Sequence, residues 1–202
     1  MSNKDYYYLP FEKEYEKLSK KIKKKLKGDD NDWYKFKYSF DDDEQGKQGL
    51  VGLLKVGKYK CVFKTSQYYN HLVRHENLIT ESLREIRHCC PHFGLGFGIL
   101  NHSADFDYRN KKNIFEVKRN KFIENETLLL HYLKDAFDFT EFIESNKNID
   151  IIFSCIKQVL CAISISQSLK KFCHYDLHSS NVLITKCDPD LVLHYILDKN
   201  NS

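Results

Sequence analysis

The first part of the chain repeats apolar residues at the spacing of one helical face. Between residues 11 and 27 the steps are four or three, and the apolar positions are Phe11, Tyr15, Leu18, Ile22 and Leu26. Glutamates are concentrated at the start of this segment and lysines at its end, which is the charge order that the helix dipole favours. Gly28 follows, and glycine commonly ends a helix. The pattern predicts a basic amphipathic helix packed on the next domain. An anionic membrane surface or an acidic partner are the alternatives.

From residue 33 the apolar period changes to two, which is typical of strands. Residues Trp33–Phe40 alternate aromatic and polar side chains, and an acidic, glycine-bearing turn follows at residues 41–49. Two short strand-like runs, Leu50–Val56 and Lys58–Thr65, are separated by Gly57. Together these segments predict an antiparallel meander of three strands.

The rest of the chain mixes helical and strand patterns. Helical spacing is found in three segments, which are His71–His88, Phe139–Ser145 and Asp150–Lys171. Strand patterns are found in three others, which are Phe93–Leu100, Asn113–Ile123 and Thr127–Leu133. The sequence therefore predicts an α+β fold with a small antiparallel sheet. We divide it into an N-terminal extension (1–28), a sheet-bearing lobe (29–133) and a mainly helical part (134–202).

Composition and charge narrow the class of protein. Hydrophobic residues make up 42% and charged residues 30% of the 202 residues, as in a folded domain with a solvated surface. The net charge of +4 is too mild to indicate nucleic-acid binding by itself. Seven cysteines without an even, regular spacing predict free thiols in a reducing, intracellular compartment.

No membrane or metal signal is expected. Met1 starts no apolar run, so no secretory signal is predicted. The longest apolar segment, residues 149–169, is interrupted by Lys157 and two glutamines and is interpreted as a core helix rather than a transmembrane segment. The run His88–His92 lacks the ligand spacing of a zinc site and is interpreted as a helix end.

Residues 172–184 carry the most specific motif of the chain. His174, Asp176 and Asn181 stand at the spacing H-x-D-L-x-x-x-N, after an apolar helical pattern and before a β-branched run. A carboxylate at Asp176 can accept a hydrogen bond from an attacking hydroxyl and orient it, and Asn181 offers a neutral oxygen to Mg²⁺. Taken singly, either residue could belong to an ordinary turn. Together they predict a phosphotransfer loop.

This loop resembles that of eukaryotic-type serine/threonine protein kinases, and is closest to the divergent branch of haspin and the putative kinases of giant DNA viruses. The resemblance implies a kinase-like fold, ATP and Mg²⁺ as cofactors, and Asp176 as a catalytic residue with Asn181 as a metal ligand. His178 is the second candidate catalytic residue that the resemblance implies, because it occupies the position where common kinases have lysine. Haspin and the choline- and aminoglycoside-type kinases also carry histidine there, so a small-molecule acceptor is an alternative. For a viral chain, the compartment would be the host cytoplasm.

The third predicted strand resembles the V-A-I-K motif of kinases. In the run Cys61-Val-Phe-Lys64, Lys64 stands in the position that reaches the α- and β-phosphates of the nucleotide. Kinases pair this lysine with a helix glutamate, and three candidates follow, Glu76, Glu81 and Glu85. Glu76 lies beside the predicted apolar face of its helix and is preferred, whereas Glu81 matches the family distance to Pro91.

Two further assignments rest on position in the resemblance. Gly46 and Gly49, with Gly52 after them, recur every third residue and are candidates for a phosphate-covering loop, although a plain hairpin turn fits equally well. Tyr132 stands where a kinase hinge would hold the adenine. Both assignments place further nucleotide-binding residues in the sheet-bearing lobe.

The second metal-binding signature of kinases, Asp-Phe-Gly, does not occur in the sequence. We expect Leu191–Asp198 to be a hairpin strand before that signature, so that the resemblance covers residues 33–184 and stops within the domain. Weak or absent transfer is then expected. Three hypotheses remain open: a piece of a serine/threonine kinase, a pseudokinase that binds a protein partner, and a small-molecule phosphotransferase.

Overall fold

The computed structural model describes residues 12–27, 35–37, 49–66, 70–103, 124–188, 190–195 and 197. Within these ranges the chain is an α+β protein. Its elements in order are α1 (Glu12–Leu26), β1 (Lys35–Lys37), β2 (Gly49–Val56), β3 (Tyr59–Ser66), α2 (Asn70–Glu85), β4 (Gly96–Ser103), β5 (Glu124–His131), β6 (Phe137–Asp138), α3 (Phe139–Ser145), α4 (Ile149–Lys170), a 3₁₀ turn (Ser179–Asn181) and β7 (Leu183–Ile184).

A five-stranded antiparallel sheet has the order β1-β2-β3-β5-β4. The predicted three-stranded meander is confirmed, and β2 pairs with β3 over its whole length from Gly49↔Ser66 to Val56↔Tyr59. Gly57 takes φ +62° at the first position of the two-residue turn, where a side chain would be strained. The helix α2 connects β3 to β4 along the chain, and β5 then inserts between them.

The chain divides into two compact units. The first contains residues 1–16, 80–95 and 133–202, and the second contains residues 17–79 and 96–132. The second unit has the better-filled core, in which each of the following apolar side chains is at most 2% exposed: Leu18, Ile22, Leu54, Val56, Cys61, Phe63, Phe97, Leu128 and Leu129. Leu18 and Ile22 show that the apolar face of α1 is packed, as the helical spacing predicts.

The long helix α4 in the first unit is buried on a narrow side only. Ala162, Ile165 and Ser166 are its buried residues, and the Cys90 thiol donates to the Ala162 carbonyl oxygen at 3.9 Å. The prediction of a core helix is therefore wrong for most of its length, because Phe153 and Leu160 are 54% and 63% exposed. Among the described residues, α4 is the one helix whose length and apolar composition would allow it to cross a bilayer, which is weak evidence by itself.

Several predicted boundaries shift. The helix α2 ends at Glu85, and residues 86–89 form turns instead of continuing to His88. The described residues between 191 and 197 form no strand, so the predicted hairpin strand is wrong there. The predicted strand at 113–123 lies outside the described residues. Apolar runs this short do not determine pairing, because a strand needs a partner that local sequence does not specify.

Candidate functional site

Lys64 and Glu76 form an ion pair between β3 and α2. Along β3 the odd-numbered positions from Cys61 to Thr65 are buried, so the alternation of the strand turns Lys64 to the other face. Its Nζ lies 2.9 Å from Oε1 and 2.8 Å from Oε2 of Glu76. The two side chains are 40% and 37% exposed. A pair with this exposure contributes about 0–1 kcal/mol to folding, so its geometry matters more than its stabilising effect.

The two other candidate carboxylates have different cations as partners. Glu81 contacts Arg84 on the next turn of α2, with 2.5 Å between Oε2 and Nη2. Glu85 binds Lys170 at the end of α4, and the ammonium group lowers the pKa of that carboxyl. Of the three candidates that the sequence left open, Glu76 is therefore the one that contacts Lys64.

A second ion pair connects α2 to the sheet two residues before Glu76. Arg74 donates from Nε to both carboxylate oxygens of Glu126 on β5, at 2.9 and 2.7 Å, and from Nη2 to Oε1 at 2.5 Å. Glu126 is buried whereas Arg74 is largely exposed. Next to it, the hydroxyls of Thr65 and Thr127 lie 2.5 Å apart across β3 and β5. The Arg74–Glu126 pair positions α2, and the threonine pair joins β3 to β5. No local pattern in the sequence marks these contacts, because the partners lie 52 and 62 residues apart.

The three polar residues of the 174–184 loop that carry the predicted chemistry are in mutual contact. Nδ2 of Asn181 donates to the Asp176 carbonyl oxygen at 2.8 Å and lies 3.3 Å from its Oδ2. Both partners are acceptors, so the amide nitrogen must face Asp176. The same Nδ2 lies 2.9 Å from Nε2 of His178, which must therefore accept and carry its proton on Nδ1. Oδ1 of Asn181 is then the amide atom suited to a metal ion.

Two hydrogen bonds connect this loop to the start of α3. The hydroxyl of Thr140 donates to the Ser179 hydroxyl at 2.8 Å, and the Phe139 amide donates to the Val182 carbonyl at 2.9 Å. The short strands β6 and β7 pair antiparallel directly beside these bonds. The loop is thereby held in place while the side chain of Asp176 stays 81% exposed.

The remaining predicted positions are distributed differently. Gly46 lies outside the described residues, and Gly49 is the first residue of β2. At Gly52 an added Cβ would lie 2.7 Å from the ring of Phe63, so this glycine is required by packing. Tyr132 follows β5, and the ammonium of Lys60 lies 5.7 Å from its ring centroid. The structure places Lys64 and Glu76 in the second unit, and Asp176, His178 and Asn181 in the first.

The segment after α2 forms a helix end, as predicted, with turns at residues 86–89. Among the described residues, no three His, Cys, Asp or Glu side chains are grouped so that they could hold a metal ion. Nε2 of His92 lies 2.6 Å from the Tyr195 hydroxyl, and the two rings stack. Burial lowers the pKa of His92, raises that of Tyr195 and raises that of the Cys90 thiol to about 11. This cluster is therefore neutral near pH 7.

The half-buried His92 predicts a dependence of stability on pH. Its pKa is lowered on folding, so above the ordinary value of 6.5 the imidazole is neutral in both states and its packing is fully favourable. As the pH falls below that value, only the unfolded state binds the proton, and the free energy of unfolding declines by at most about 1.4 kcal/mol per pH unit. Urea unfolding at pH 7.5 and 5.5 should show a smaller decline for His92→Gln than for the parent protein.

The exposed His88 in the same segment provides the matched control. His88→Gln should leave the difference between the two pH values as it is in the parent protein. An unchanged difference in His92→Gln would contradict the assignment of a half-buried imidazole whose pKa is lowered on folding.

Comparison with known proteins gives one distant relative. The chain is 27% identical over 138 residues to an uncharacterized protein, 038R, of Invertebrate iridescent virus 3. The match covers 62% of this chain and 23% of the viral protein, so the chain spans about a quarter of that relative's length. No protein-family profile matches the chain, and no solved structure matches it.

Proposed function

We propose that the chain is a kinase-like module that binds a magnesium–nucleotide and carries groups for phosphoryl transfer to serine or threonine hydroxyls. The observation that carries the proposal is the Lys64–Glu76 ion pair between the third strand of the sheet and the helix that follows it. Kinases hold the α- and β-phosphates with a lysine of this strand, and a glutamate of this helix pairs with that lysine. The pairing depends on tertiary structure, so it supports the motif independently of the sequence match.

The contact between Asp176 and Asn181 supports the second half of the proposal. Asp176 would accept the proton of the attacking hydroxyl, or orient that hydroxyl, and Asn181 would bind Mg²⁺ through Oδ1. His178 accepts a hydrogen bond from Asn181 and so fixes the orientation of the amide. This arrangement fits a hard cation, whose ligands are oxygens.

The proposal predicts that Asn181→Ala weakens nucleotide binding in the presence of magnesium and has little effect with EDTA. The Mg²⁺-dependent part of the affinity is lost because the oxygen ligand is removed. Isothermal titration with ATP measures the affinity in the presence of Mg²⁺ and the affinity in the presence of EDTA. Ser180→Ala, an exposed position in the same loop, is the control and should keep the Mg²⁺-dependent part. Equal weakening of Asn181→Ala under both conditions would contradict the assignment of a metal ligand.

The acceptor is tested with the same protein. Transfer from labelled ATP is measured to casein, to choline and to an aminoglycoside, with Asp176→Asn as the control. We expect label on casein, with a loss of about 100-fold or more in Asp176→Asn. Label on a small molecule alone would favour the small-molecule hypothesis instead. Binding without any transfer that depends on Asp176 would leave a nucleotide-binding pseudokinase.

A further inference from the structure

From Lys17 onward the solvent face of α1 is positively charged. Residues 17–27 contain seven lysines and no acidic residue, whereas the whole chain has a net charge of only +4. Every exposed residue in this segment is a lysine, because Leu18, Ser19 and Ile22 are buried. The positive charge is therefore concentrated locally, which the overall charge does not reveal.

Four of these lysines form a straight line. Lys17, Lys20 and Lys24 recur at steps of three and four, which keeps them within one narrow arc of α1, opposite the buried residues, and Lys27 follows three residues later in the turn directly after the helix. At 1.5 Å per residue the line is about 15 Å long, with about 5 Å between neighbouring positions. We call these four residues the lysine line.

The turn between β2 and β3 extends this surface within the same unit. The ammonium groups of Lys21 and Lys58 lie 5.8 and 5.4 Å from the centroid of the Tyr59 ring. An added Cβ at Gly57 would lie 2.7 Å from Nζ of Lys21, so the turn lies directly against the helix. The helix that carries most of the lysine line is thereby packed within this unit, through Lys21 and through the buried Leu18 and Ile22.

We infer that the lysine line binds the phosphate backbone of a nucleic acid without regard to sequence. Regularly spaced single charges match a partner that presents a regular row of single negative charges. Insertion into a bilayer interface is disfavoured because it needs an exposed apolar helix face, and Leu18 and Ile22 are 0% exposed. A protein partner is disfavoured because protein interfaces have aromatic or apolar anchors and few lysines at their centre, and this face exposes lysines alone.

The test measures the anisotropy of fluorescent duplexes of two helical turns, one DNA and one RNA, each in two unrelated sequences. We expect similar affinity for both sequences, and a fall of roughly 100-fold between about 50 and 200 mM salt if about four phosphates are contacted. The variant Lys17→Gln/Lys20→Gln/Lys24→Gln/Lys27→Gln should bind at least about 10-fold more weakly and show a shallower salt dependence. Its nucleotide response should be unchanged, since Lys64 and Asn181 are intact.

A matched variant removes the same charge elsewhere. Lys134, Lys147, Lys157 and Lys186 are exposed and lie in the other unit, and their joint replacement by glutamine gives the same net charge. This control should keep the parent affinity. Equal losses in both variants, or binding to phosphatidylserine vesicles without binding to either duplex, would overturn the inference. A parent protein that binds neither duplex at low salt would also overturn it.

Discussion

Lys64→Ala is expected to lose the rise in melting temperature that magnesium–ATP gives the parent protein. A ligand at 10 to 100 times its dissociation constant stabilises a protein by about 1.4–2.7 kcal/mol, which is about 3–10 °C for a chain of this size. Loss of one charged contact to phosphate weakens binding by about 1.5–3 kcal/mol, enough to remove most of that rise. Thermal unfolding with and without magnesium–ATP measures this rise in melting temperature for the parent protein and for the variant.

The result can be interpreted because the unliganded variant should remain folded. The Lys64–Glu76 pair is partly exposed in both side chains, and such pairs contribute about 0–1 kcal/mol to folding. Lys55→Ala, at an exposed position of β2, is the control and should respond to nucleotide as the parent does. Glu76→Gln should reduce the response less than Lys64→Ala, since it acts through the lysine. A full response in Lys64→Ala would refute the nucleotide site.

Phe63→Ala should have the largest effect on stability, a loss of about 3–5 kcal/mol in the free energy of unfolding. The Phe63 side chain is 0% exposed and closes over Gly52, its partner across β2 and β3. Gly52→Ala should cost about 1–3 kcal/mol, because the new methyl group would lie 2.7 Å from a ring that the core holds in place. Urea denaturation measures both variants.

The pair can be tested for direct contact with a double-mutant cycle. Phe63→Leu makes room beside Gly52, so the double variant Gly52→Ala/Phe63→Leu should lose at least about 0.5 kcal/mol less than the sum of the single changes. Gly94→Ala is the control, because an added Cβ there meets no atom within 4 Å. Additive losses would mean that the ring does not cover Gly52. An unchanged affinity for ATP in folded Gly52→Ala would show that the glycine serves packing rather than phosphate binding.

The sequence predicted the two parts of the candidate site to different extents. The contacts of Asp176, His178 and Asn181 are local, within five residues, and their spacing in the sequence already grouped them in one loop. For Lys64 the sequence left three glutamates as possible partners. The spacing of residues along a helix shows which face a side chain lies on, but not how far it lies from a strand. The contacts of Arg74 with Glu126 and of Thr65 with Thr127 were not foreseen, since nothing local marks partners that lie more than fifty residues apart.

By itself the sequence determined the elements with strong periodicity. It predicted α1, β2, β3, α3 and α4 to within a residue or two, because burial imposes a period of 3.6 or 2 on the chain that forms each element. It also determined the spacing of the motif residues His174, Asp176 and Asn181.

Only the tertiary structure decided which apolar faces are covered and which charges meet. Leu18 lies on the amphipathic helix α1 and is 0% exposed. Leu160 lies on the apolar helix α4 and is 63% exposed. Periodicity reports that a face is apolar, whereas burial depends on whether another element packs against that face. For the same reason Glu76 rather than Glu81 or Glu85 pairs with Lys64: the choice depends on how α2 lies against the sheet, which long-range contacts determine.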